Sequence, residues 1–92
     1  MSDGKATDGG TGLSLFQRVA LRADVPGHNL RRGDVATIVD FVEHPGGGER
    51  GCVLEVFNAL GESIAVAAVP VTAVEPLRSD EVLAVRPLTG AA

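Results

Sequence analysis

Short aliphatic runs divided by turn chemistry predict an all-β domain of five short strands. Three observations carry that expectation. From Leu13 onward, Val, Ile, Leu and Ala arrive in runs separated by Gly, Pro, Asn and Asp. Several runs alternate in the period of two that a half-buried strand requires. The chain has 92 residues, 45% of them hydrophobic and 22% charged, which suits one small globular domain and leaves no room for a two-domain enzyme.

Residues 1–12 hold four Gly with Asp, Thr, Ser and Lys, a composition that does not repay the entropy of ordering, so a flexible tail is expected there. The first strand runs from Phe16 to Ala23, with Val19, Leu21 and Ala23 on one face and Arg18, Ala20 and Arg22 on the other. Asp24 to Asp34 is a long loop of turn formers in which Leu30 is the residue placed to pin it to a core, with Asn29, Gly33 and Asp34 as structural turn residues.

The second strand, Val35 to Glu43, is aliphatic on both faces, which requires a central position or a bulge that re-aims part of it. His44 to Gly51 is a permissive Gly-rich hairpin connection. The third strand, Cys52 to Phe57, sets Cys52, Leu54 and Val56 against Val53, Glu55 and Phe57. A tight turn over residues 58–62 leads to the fourth, Ser63 to Val69, whose alanines need tertiary packing to stay extended. Pro70 ends it, residues 71–74 suit one helical turn, and Glu75 to Leu77 form a fifth strand.

Five strands with these connections match a small SH3-like barrel over residues 13–78, with an open four-stranded sheet as the rival plan. In the C-terminal extension, residues 79–92, Ser79 is placed to cap a short helix through Arg86; an edge strand over Val82–Val85 is the alternative and disorder the third.

The segment from Leu30 to Val39, with Leu30-x-x-Gly33-Asp34 at its start, resembles a family of short bacterial domains of unknown function, together with residues 65–70 and 74–77. The resemblance spans about residues 15–77. It implies an SH3-like barrel and brings no established activity. Asn29 stands where that family usually has Gly, and Asn tolerates the left-handed region best after Gly. Ala36 likewise replaces a Gly.

Composition narrows the function. Twelve acidic against eight basic residues give a net charge of −4, which disfavours nucleic acid and anionic lipid, although KOW-like small barrels make nucleic-acid binding the alternative reading. Kinship with an enzyme-maturation subunit is a further alternative, resting on fold analogy alone. No apolar run reaches the length of a spanning helix, the single Cys52 forms no intrachain disulfide, and a cytoplasmic location is expected.

No residues are assigned to catalysis, cofactor or metal, and the chain is read as not an enzyme. Asp34 has no acid, base or nucleophile spaced to join it, His28 and His44 share no metal-ligand spacing, and Gly46–Gly48 lack the Lys-Ser/Thr of a phosphate loop. Cys52 reads as a small buried hydrophobe.

There is no Trp or Tyr, and Phe16, Phe41 and Phe57 all fall in or beside strands, so they are assigned to packing. Recognition then rests on strand edges, aliphatic surface or charge. The expected role is a non-catalytic protein–protein interaction module or accessory subunit, whose partner is another protein or a second copy. Arg18, Arg22, Arg31 and Arg32, with Val82, Leu83 and Val85, are the candidate contact residues.

Overall fold

The structure, a computed structural model, describes residues 7–8, 12–43 and 48–88. Its strands are β1 (Thr7–Asp8), β2 (Leu13–Ser14), β3 (Arg18–Leu21), β4 (Val35–Val42), β5 (Gly51–Phe57), β6 (Ser63–Pro70) and β7 (Val74–Pro76). β1 and β2 form a two-stranded ribbon, so two residues of the expected flexible tail are extended and paired; residues 1–6 and 9–11 lie outside the described residues. Residues 44–47 of the Gly-rich connection and 89–92 of the extension lie outside them too.

The other five strands make one antiparallel sheet in the order β6-β5-β4-β3-β7. It is all-β with the expected five strands, but it does not close into a barrel: β6 and β7 remain its two edges. Val71–Ala73 is a 3₁₀ turn of three residues, through which the chain passes from one edge strand to the other, and β6 and β7 do not pair with each other. Val69 before it and Val74 after it both enter the core, which curls the sheet around Val19, Leu21, Leu30, Ile38, Cys52 and Leu54.

β4 carries the bulge its two-faced sequence requires. Ile38 pairs with Leu54 and Asp40 with Val53, which leaves Val39 as the extra residue. Without it Asp40 would follow Ala36 and Ile38 onto the core face; with it Asp40 is exposed and Phe41 half-buried. β5 keeps a clean alternation, with Cys52, Leu54 and Val56 buried. β3 is shorter than expected: Ala23 is exposed, and Ala20 is buried along with Val19 and Leu21.

Two expectations need correction. The extension forms no helix in its described part. Ser79 and Asp80 sit in a turn closed by Glu81, whose N–H donates to the Arg78 carbonyl at 3.1 Å while its carboxylate accepts the Arg78 N–H at 2.7 Å. The helix does not propagate, because Val82 and Val85 find no face to bury and the chain beyond them is tethered by Arg86 to Asp34. The aromatic residues are also not all spent on packing. Phe41 is half-buried under the Arg50 guanidinium, 5.5 Å from its ring centre, but Phe57 is 45% exposed at the end of β5 and Phe16 is 71% exposed. Phe16 occupies a turn ahead of β3 at φ 68, a left-handed conformation that bulky residues rarely adopt, while its N–H donates to the Ile38 carbonyl at 2.6 Å.

Candidate functional site

The loop between β3 and β4 is built around its short polar residues. Val25 and Leu30 pair across a 3₁₀ turn at Pro26–His28, and Leu30, fully buried, anchors the loop. Asn29 closes that turn in the left-handed region at φ 58, ψ 25, the conformation its side chain tolerates. Gly33 follows at φ +93, its N–H donating to the Leu21 carbonyl at 2.8 Å. Two carboxylates hold the backbone between them: Asp24 accepts the Arg32 N–H at 2.9 Å and Asp34 the Arg31 N–H at 2.7 Å. Ala36 lies in β4 with no positive φ, so its methyl group is unstrained and buried.

Asp34 does a second thing, which sequence spacing does not reveal. Arg86, 52 positions on, grips it with a forked ion pair: Nε donates to Oδ1 at 2.9 Å and Nη2 donates to Oδ2. The same guanidinium donates from Nη2 to the Asn29 carbonyl at 2.9 Å and from Nη1 to the carbonyls of Pro87 at 2.7 Å and Leu88 at 3.3 Å. Its planar fork of donors suits this combined role. Burial alone would raise the Asp34 carboxyl, but the hydrogen bonds from Arg86 and the Arg31 N–H, with the positive charges of both arginines, hold it below the ordinary carboxylate value. The bond to Asp34 raises Arg86 in turn, so both stay charged. With Leu88 packed against the core, the extension is stapled to the loop as a strap.

Between this strap and the sheet lies an open cleft of about 1160 Å³. Ala20, Val35, Phe57 and Ile64 line it from the sheet side, and Val82, Leu83 and Val85 from the strap. Six of the seven candidate contact residues border it: Arg18, Arg31, Arg32, Val82, Leu83 and Val85. Arg22 does not, and its backbone N–H donates to the Ala73 carbonyl at 2.7 Å. Val82 and Val85 are more than nine-tenths exposed. Among the described residues, the side chains of Arg18, Arg31 and Arg32 form no salt bridge or hydrogen bond, whereas Arg50 pairs with Glu43 at 2.8 Å and Arg78 with Asp80 at 3.4 Å. Phe57 and Ile64 join the cleft, although Phe57 reads from the sequence as a packing residue. Arg86 carries one faint signal in the sequence, as the only cation in an otherwise aliphatic stretch.

The remaining reactive groups stand apart. Cys52 is fully buried, and burial pushes its thiol up and keeps it neutral. His28 is exposed in the 3₁₀ turn, while His44 lies outside the described residues. Among the described residues no group of three or more His, Cys, Asp or Glu is placed to hold a metal ion, and no helix is long and apolar enough to cross a membrane.

No curated protein and no solved structure matches the chain. A family model does, over residues 15–76, from the turn that precedes β3 to the last residue of β7. The matched region takes in the Asn29-to-Asp34 loop and the whole five-stranded sheet but stops short of the strap, and on that match the chain belongs to the DUF4926 family, a domain of unknown function.

Proposed function

We propose that the domain is a non-catalytic protein–protein interaction module, or a small accessory subunit, that holds its partner in the cleft between the strap and the sheet. The observation that supports this reading most is the pairing of unshared arginines with exposed aliphatic side chains around one concavity. Small-molecule sites are typically about 300–1,000 Å³ and enclose most of the ligand, whereas this cleft is larger and open along its length. Exposed apolar surface rimmed by charge is the usual mark of a protein contact. Nucleic acid fits poorly with a net charge of −4, and among the described residues that line the cleft no nucleophile, base and acid converge to suggest chemistry. In this reading the domain works in the cytoplasm.

The test is affinity capture from the native host with the full chain, alongside Arg18→Glu/Arg31→Glu/Arg32→Glu, with light scattering to detect self-association. A partner or second copy that binds the full chain and is lost by about tenfold or more in the variant supports the reading. A strictly monomeric protein that retains nothing, or a partner held equally by the variant, overturns it.

A further inference from the structure

The strap has no backbone partner. From Val82 to Val85 the chain makes no helix, turn or bend, and among the described residues none of its N–H or C=O groups bonds to another part of the chain. It leaves the local turn at Arg78–Glu81 and is fastened beyond Val85 by Arg86 on Asp34, so the polar groups between are left to meet a partner. Such an edge is a template for another extended chain.

The walls say what that chain carries. A strand's side chains alternate between two faces, so one laid beside Val82–Val85 presents every second residue to the aliphatic wall of Ala20, Val35, Phe57 and Ile64. The residues between them reach the charged rim. The Asp34–Arg86 pair is self-neutralised, which leaves Arg18, Arg31 and Arg32 against Glu75 and Glu81, and the Glu81 carboxylate already accepts a backbone N–H. The cleft lining thus holds four arginines against three carboxylates, in a chain with twelve acidic and eight basic residues.

We infer that the cleft takes an extended segment of another protein in which aliphatic residues alternate with Asp or Glu, added as a strand beside Val82–Val85. This rests on the interaction-module reading and specifies its ligand. Hydrogen bonds to the strap backbone supply sequence-independent affinity, while the aliphatic wall and the arginines set the choice of segment.

The probes are three fluorescein-labelled octapeptides titrated into the full chain by fluorescence anisotropy: alternating Glu-Val, alternating Lys-Val, and Glu-Val with every second amide N-methylated. Glu-Val is expected to bind at least tenfold more tightly than Lys-Val, and to lose at least tenfold on N-methylation and on Arg31→Gln/Arg32→Gln. Those two side chains are exposed, the loop's hydrogen bonds use their backbone N–H groups, and Arg86 still holds Asp34 when the charge of Arg31 is removed, so the double variant keeps its fold, as circular dichroism would verify. Equal binding of Glu-Val and Lys-Val, indifference to N-methylation, or no binding of any peptide overturns the inference. If host capture still depends on the cleft arginines, only the strand-addition inference has failed; if that dependence is absent too, the module reading fails with it.

Discussion

Gly33 is the point at which the backbone conformation of the loop can be tested by itself. It lies at φ +93, beyond the basin that L-residues visit, yet a Cβ placed on it meets nothing within 4 Å. Gly33→Ala therefore carries no steric clash, and its cost is conformational alone. Holding an L-residue on the left-handed side costs about 1–2 kcal/mol, and the loss of freedom in the unfolded chain returns about 0.4–1 kcal/mol. The net loss is about 1 kcal/mol, or a fall of roughly 4–8 °C in the melting midpoint for a domain of this size. A D-alanine at the same position keeps the unfolded-state gain without the penalty and should raise the midpoint by several degrees. Both proteins are accessible by chemical ligation at Cys52, the only cysteine. Thermal melts followed by circular dichroism decide the matter. A Gly33→Ala variant that melts at or above the parent, or a D-alanine variant that melts below it, would refute the reasoning.

Three further outcomes are expected. Because the Asp34 carboxyl is held low in the fold, its contribution to stability is present above the unfolded value near 3.8 and is lost as pH falls through the folded one; urea midpoints should fall more steeply below pH 4 for the parent than for Asp34→Asn, and equal falls would count against the Arg86 tether. Phe16→Asn relieves a left-handed phenylalanine whose ring is largely exposed, so the melting midpoint should rise, by up to about 1 kcal/mol in stability; a fall of that size would mean the ring packs. Leu54→Ala, at a fully buried position in β5 opposite Ile38, should cost about 2–5 kcal/mol in urea unfolding, and a loss under about 1 kcal/mol would place Leu54 outside the core.

The strands are legible because their signals are local. Alternation over Cys52–Phe57, Pro70 as a stop, and Gly-Asp ahead of Val35 each constrain the backbone within a few residues. The two-faced pattern of Val35–Glu43 even requires the bulge that falls at Val39. What a sequence lacks is any signal for contacts between distant residues. Ser79-Asp80-Glu81 carries a local helix-start pattern, and the tether from Arg86 to a carboxylate 52 residues away overrides it. Nearness to strands assigns Phe16 and Phe57 to packing, but a ring at a strand's end or in the turn before it can face solvent. Sequence proximity groups four arginines, of which the fold brings Arg18, Arg31 and Arg32 to one cleft and leaves Arg22 elsewhere. Failure to close is not legible either, because it depends on whether β6 and β7, strands at opposite edges of the sheet, come into register with each other.

The unequal lengths of the sheet's two edges limit how copies of the sheet could add to one another. β6 offers eight residues without a charge and β7 only three, and each ends in a proline, Pro70 and Pro76, that has no N–H to give. A second molecule joining through β6 in two-fold fashion would use up the long edge of both copies and leave, of the two five-stranded sheets, only the three-residue β7 edges outside. Growth by addition to the sheet edges would then stop at two molecules rather than propagate into a fibre, so the open sheet gains by asymmetry some of the protection that a closed barrel has by having no edges.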